Sequence, residues 1–227
     1  MANHGKKYRA VQAKVKPEVY TLPAAIDFLK ANHPAQFDET MEVAFRLGVD
    51  TAKSDQGVRG TVSLPHGTGK TQRVIVFAAG AAADAALAAG ADEVGYEALI
   101  EKVKSGWTGF DVAIATPDAM KEVRKLGKVL GPRGLMPNPK TGTVSEDTAA
   151  AVKASKEGRV EFRMDKNGNV QVPFGKCSFA PASLLENVRA VVAAIHASRP
   201  ASAKGVFIKR CTLSSTMGVG VRVDVHD

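Results

Sequence analysis

The sequence predicts an α+β domain built from both ends of the chain, with an α/β domain inserted between them. Three observations lead there. Strand-like stretches near both ends alternate apolar and polar residues, as in sheets with one buried face. In the middle, short apolar runs are continuous and separated by helical segments, as in a sheet covered on both faces. Charge follows the same division: of the net +8, residues 1–69 carry +2, residues 70–157 only +1 and residues 158–227 +5.

Thr21 is placed to cap a helix reaching about Lys30, with Leu22, Ile26 and Leu29 on one face. Met41, Val43, Phe45, Leu47 and Val49 then alternate with Glu42, Ala44, Arg46 and Gly48, a strand with one buried face. Val58, Gly60, Val62 and Leu64 read as a second. After Arg73 the run to residue 79 is apolar throughout. An alanine-rich helix over 81–89 ends at Gly90. A short strand near Val94, a helix over 96–104 and a buried strand over 110–115 follow. Thr116 and Pro117 then suit the cap and first position of another helix. Residues 126–144, rich in glycine and proline, are expected to be irregular, and a helix over 147–157 ends at Gly158.

Alternation returns at Val160, Phe162 and Met164. The turn Asp165-Lys166-Asn167-Gly168 leads to Val170 and Val172, and its Asn-Gly pair predicts a hairpin. Pro181 opens a helix to about Ser198, and strands over 206–213 and 219–225 follow. The connections fall at residues 65–70 and 157–159. Both contain glycine, which suits a hinge. The end-built domain is then 1–67 with 159–227, and the insert 68–158. A single mixed sheet is the competing arrangement.

Composition excludes several classes. With 44% hydrophobic and 24% charged residues the chain is an ordinary globular mix, so wholesale disorder is excluded. Cys177 and Cys211 make no disulfide scaffold or metal cluster, and their strand-like contexts suit buried thiols. The longest apolar stretch, 74–91, is interrupted by Gly80, Asp84 and Gly90 and is no membrane span. The basic segment 1–16 has no apolar core and is no secretory signal, so a soluble cytoplasmic chain is expected.

Catalytic signatures are missing. His66-Gly67-Thr68-Gly69-Lys70-Thr71 ends like a phosphate-binding loop, but Leu64 stands where the pattern needs its first glycine. Gly80 is followed by three alanines, which is no dinucleotide fingerprint. The histidines His4, His33, His66, His196 and His226 are scattered. No enzyme, metal or cofactor is expected, although the β-α order of the insert keeps a nucleotide-binding enzyme as the alternative.

What remains points to binding. Lys6, Lys7, Arg9, Lys14 and Lys16 occur with no acid in residues 1–16, an excess that favours a polyanion. Phe37 precedes the first alternating strand, placed either to stack on a base or to plug the core. Ser214-Ser215-Thr216-Met217-Gly218 joins the last two strands, with hydroxyls and a glycine that permits close approach, features suited to folded RNA. The stiff loop Leu130-Gly131-Pro132-Arg133-Gly134-Leu135-Met136-Pro137-Asn138-Pro139-Lys140 presents Arg133 and Lys140.

That loop and five other motifs resemble one family. The motifs are Phe37-Asp38-Glu39-Thr40, Val58-Arg59-Gly60-Thr61-Val62-Ser63-Leu64-Pro65-His66-Gly67, Gly158-Arg159-Val160-Glu161-Phe162-Arg163 and Thr216-Met217-Gly218, with Ser54-Asp55-Gln56 between the first two. Along almost the whole chain, and in the same order, they resemble the bacterial ribosomal stalk proteins of the L one family. The resemblance implies a split β-α-β end-built domain and a Rossmann-like, three-layer insert without a dinucleotide. It also implies a cytoplasmic ribosomal protein, monomeric off the ribosome. Such a protein binds 23S ribosomal RNA at the mobile stalk, assists release of exit-site transfer RNA and represses its own operon messenger. By motif, Phe37, Thr40, Thr216, Met217 and Gly218 would form the RNA site, Met217 packing on sugar while Thr216 and the Gly218 backbone hydrogen-bond. Charge and position add Arg163, Lys166 and Lys176 as phosphate contacts. Gln36 stands where relatives often carry lysine, a departure that bears on one phosphate contact.

Overall fold

A computed structural model describes residues 5–225, so His4 and His226 lie outside the described residues. In chain order the helices and strands are α1 (Lys6–Gln12), α2 (Leu22–Ala31), β1 (Thr40–Leu47), β2 (Arg59–Ser63), β3 (Val74–Phe77), α3 (Ala81–Ala88) and β4 (Glu93–Gly95). Then follow α4 (Glu97–Lys104), β5 (Val112–Ala115), α5 (Met120–Val123), α6 (Gly127–Leu130), α7 (Thr148–Lys156), β6 (Arg159–Arg163), β7 (Asn169–Lys176), α8 (Pro181–Ala197), β8 (Ile208–Ser215) and β9 (Val221–Val223). The chain is mixed α/β with three sheets, and it divides into two compact units: Met1–Gly69 with Val160–Asp227, and Lys70–Arg159.

The first unit is organised by an antiparallel sheet of order β7-β1-β8-β9. Alternation does what the sequence predicts. Met41, Val43, Phe45 and Leu47 of β1 are buried together with Val170, Val172 and Phe174 of β7, while Glu42, Ala44 and Arg46 turn to the other face. Helices α2 and α8 cover the buried face through Ala25, Ile26 and Leu29, and through Leu184, Val188, Val191 and Ile195. Thr21 occupies the N-cap of α2 with extended backbone, but its side chain makes no capping bond. That helix is held by packing and by Pro23 in its first turn.

One polar residue interrupts the apolar face of α8. Asn187 is fully buried, accepts from the His66 N–H at 3.0 Å, and donates to the carbonyls of Phe174 at 2.8 Å and Gly67 at 3.1 Å. It ties α8 to the end of β7 and to the segment that leaves the unit. The Asn-Gly turn is present without the expected hairpin: β6 pairs with β2 in a separate two-stranded sheet, while β7 joins β1. Asn167 has no positive φ, which excludes the type I′ geometry. The Asp165 carboxylate shapes the turn instead, accepting from the Asn167 and Asn169 N–H groups at 2.8 Å. These bonds hold its carboxyl below the usual aspartate range.

The second unit holds a parallel sheet of order β4-β3-β5. Ile75, Phe77, Ala113 and Ala115 face one core with Leu99 and Val103 of α4. Val74, Val76 and Ile114 face the other with Ala86 of α3 and Val152 of α7. Burial on both faces explains the unbroken apolar runs. Past the last residues of α3, Gly90 at φ +93° closes the helix, as bonds from Gly90 N–H to Leu87 and from Ala91 N–H to Ala86 take up the terminal carbonyls. Residues 126–144 are less irregular than expected. A 3₁₀ turn, Arg124–Leu126, runs into α6, and Leu126 and Leu130 are buried beneath, so Gly127 and Gly131 sit on helical backbone. The helix expected at Thr116 starts later, at Met120, although the Thr116 hydroxyl accepts from the Ala119 N–H at 3.4 Å.

Replacing Asn187 with alanine strands one buried N–H and two carbonyls. The substitution is expected to lower unfolding stability by about 2–4 kcal/mol, read as an earlier urea midpoint with the helix content at zero urea unchanged.

Candidate nucleic-acid interface

Strand β1 lies between β7 and β8, so its first residues meet the last residues of both neighbours: Thr40 faces Lys176 and Met41 faces Ser215. Six of the eight expected site residues gather at this end: Thr40, Lys176, Thr216, Met217 and Gly218, and Phe37 on the loop that enters β1. The Thr216 N–H donates to the Thr40 carbonyl at 3.0 Å, its hydroxyl donates to the same carbonyl at 3.2 Å, and that hydroxyl accepts from the Thr40 N–H at 3.0 Å. The hydroxyl proton of Thr216 is therefore spent within the chain, and toward a ligand its oxygen offers an acceptor.

Glu39 is the buried centre of this end. It is 0% exposed, and its two carboxylate oxygens accept from the Ala35 N–H at 2.8 Å and the Met217 N–H at 3.2 Å. Its own carbonyl accepts from Cys177 N–H at 2.9 Å. Its side chain thus ties the loop carrying Phe37 to the turn carrying Met217, and its backbone ties both to the end of β7. The two apolar side chains of these loops stay in solvent, Phe37 at 55% exposure and Met217 at 58%. Phe37 is thus no core plug. Next to them the Asp38 carboxylate accepts from the Ser178 N–H and hydroxyl, while the Lys176 ammonium donates to the Asp38 carbonyl at 3.2 Å.

Gly218 is required by packing. A Cβ there would lie 2.2 Å from the Ser215 hydroxyl oxygen, which is buried and has no hydrogen-bond partner among the described residues. Cys177, behind the site, is a free buried thiol pushed up to about 11 by burial and then by the Glu39 and Asp38 carboxylates.

Arg163 and Lys166 do not join this end. Arg163 closes β6, and Lys166 lies in the turn before Asn169, which faces Arg46. From Thr40 to Arg46 the strand covers about 20 Å, so Lys166 and Lys176 stand at opposite ends of the sheet. Between them runs a surface that motif reading missed. Gln171, Ala44, Thr212 and Arg222 form one cross-strand row on the open face, and Asn169, Arg46 and Arg210 form the next. A shallow groove follows these residues. Their signal was the polar half of the alternation, the positions between the buried ones.

Residues Lys70 and Thr71 lead into β3 rather than a helix, so the loop lacks the helix N-terminus a phosphate-binding loop requires. The Arg133 guanidinium donates to the Thr108 hydroxyl, and the Lys140 side chain lies outside the described residues. Among the described residues, no group of histidine, cysteine and carboxylate side chains could hold a metal ion, and no helix is long and apolar enough to cross a membrane.

The profile of the ribosomal protein L1p/L10e family matches residues 29–219. A protein of Clavibacter michiganensis subsp. michiganensis named large ribosomal subunit protein uL1 is 55% identical over 222 residues, covering 97% of each chain. One of the same name from Methylobacillus flagellatus is 56% identical over 225 residues, covering 99% of this chain and 98% of its own.

Two measurements check the packing. Gly218→Ala is expected to cost about 1–3 kcal/mol, and adding Ser215→Ala should restore most of it, because the next atom, Ser215 Cβ, is 3.4 Å away. Cys177, and Cys211 at about 12, stay protonated at pH 8. Neither thiol should react with a disulfide reagent in the native chain, and both should react promptly in denaturant.

Proposed function

The chain belongs to the ribosomal protein L1p/L10e family, and on that premise we propose that its first unit binds ribosomal RNA at the end of the sheet where β1 begins. As a family member it is a constituent of the large ribosomal subunit in the cytoplasm and not an enzyme. The proposal concerns how it holds RNA.

One observation carries the reading: two exposed apolar side chains, Phe37 and Met217, on loops tied to one buried carboxylate. A soluble protein has no packing use for them, whereas a flat base or a ribose face covers them well. The Glu39 bonds settle the two loops before RNA arrives, which lowers the ordering cost of binding. Thr216 and the backbone of Gly218 present acceptor and peptide groups beside them, suited to 2′-hydroxyls.

The open face extends the contact. Arg46 and Arg210 lie directly opposite each other on neighbouring strands. Such a like-charge pair is unfavourable by itself and becomes favourable once phosphates lie over it. With Lys166 in the turn beyond and Arg163 near by, these cations suit an RNA that runs about 20 Å along β1. In this reading the RNA is the mobile stalk of 23S ribosomal RNA, and the stalk assists departure of exit-site transfer RNA. The same surface would hold the chain's own operon messenger where that RNA copies the stalk shape, so the two RNAs compete. The unit Lys70–Arg159 acts as the inserted Rossmann-like domain, without cofactor.

Binding to a stalk fragment and to a scrambled RNA of equal length, over a salt series, tests this. A preference of about a thousandfold at physiological salt is expected. Met217→Ala or Thr216→Val should cost about 1–3 kcal/mol of affinity, with melting behaviour unchanged for Met217→Ala. Equal, steeply salt-dependent affinity for both RNAs would overturn the site.

A further inference from the structure

Helix α1 and the residues after it form a second cationic surface. From Lys6 to Lys16 there are five cations and no acid. Tyr8, Val11 and Val15 recur at helical spacing and pack half-buried against the core of the first unit. Lys6, Lys7, Arg9, Lys14 and Lys16 are exposed. Among the described residues no carboxylate pairs with Lys6, Lys7, Lys14 or Lys16. The helix is seven residues long and buries no side chain fully, so its own propensity does little to hold it. Crowding like charges on it weakens it further.

Its position says what it serves. The Lys14 ammonium donates to the Asn32 side-chain oxygen at 3.0 Å, a neutral partner that leaves the charge uncompensated. Asn32 caps the end of α2, and its own amide donates to the Phe28 carbonyl at 2.9 Å. From Asn32 the chain reaches Phe37 in five residues, a span of at most about 18 Å. Lys14, just past the end of α1, therefore reaches the residue from which the loop to Phe37 departs, and brings the cationic segment onto the same side of α2 as that loop's start.

Resting on the RNA-binding reading above, we infer that α1 and the residues to Lys16 grip the phosphate backbone of the RNA flanking the Phe37–Met217 contact. The surface is a sequence-independent outrigger. It adds affinity through released counterions and reads no bases.

The test uses the full chain with Lys6→Gln, Lys7→Gln and Lys14→Gln combined, and a second variant with arginine at the same three positions. Glutamine keeps helix propensity and the chain's aliphatic packing while removing charge. Each protein is titrated with a minimal stalk RNA and with the same RNA extended by a flanking duplex. On the extended RNA the glutamine variant should lower the slope of log affinity against log salt by about 2 to 3, since each lost duplex phosphate contact removes about 0.9. On the minimal RNA it should match the wild type, and the arginine variant should keep the wild-type slope on both. An unchanged slope on the extended RNA, or an equal loss on both RNAs, overturns the inference. Failure of the underlying reading is separate: the unaltered chain would then bind stalk and scrambled RNA equally.

Discussion

The placement of β1 between β7 and β8 is the constraint on which the rest of the first unit depends. Each edge of this strand is paired to a segment the chain supplies much later, at Lys176 on one side and Ser215 on the other. Those pairings bury Met41, Val43, Phe45 and Leu47 under α2 and α8. They also bring Thr40 and Thr216, 176 positions apart, within hydrogen-bond distance. A slip of one residue in either register would turn the apolar side chains to solvent and separate the two threonines. Fold and site therefore rest on the same hydrogen-bond ladder.

Glu39 converts that ladder into a shaped surface. A buried carboxylate is costly unless fully bonded, and here two backbone N–H groups from different loops satisfy it. Each loop satisfies a group the other also needs, so neither can depart alone. Around this rigid end the charges are arranged differently. Lysines and arginines sit mostly on exposed positions where salt screens them, so they favour a polyanion without fixing where it lies. Under the RNA contact proposed above, position comes from the two apolar side chains and the peptide groups between them.

Much of this was legible in the residues, because the apolar pattern is set by burial. Alternation marked β1, β2, β6, β7 and β9, and unbroken runs marked β3 and β5, since each pattern reports how many faces of a strand are covered. The cluster at Phe37, Thr40, Thr216 and Met217 was found by motif, and its geometry was not. Nothing local in the sequence says that Glu39 is buried between two loops, because its partners lie at Ala35 and Met217. Lys166 and Lys176 are ten positions apart, and the extended strand between them carries them to opposite ends of the sheet. The turn at Asn167-Gly168 was read as a hairpin because dipeptide preference describes the turn and not where the strands go. The Asp165 carboxylate and the separate pairing of β6 decided that.

The lateness of β8 in the chain has a consequence for biosynthesis. A nascent chain emerging residue by residue presents the cationic helix first and Phe37 soon after. The partner strand and the turn with Met217 follow only after more than 170 further residues. Until then the Glu39 carboxylate has no Met217 N–H to hold and Thr40 has no Thr216. An interrupted chain ending before Ser215 lacks the strand that pairs with β1 on that side and the bonds that join the two loops. The surface at the start of β1 is thus completed only when the last strands of the chain have been made.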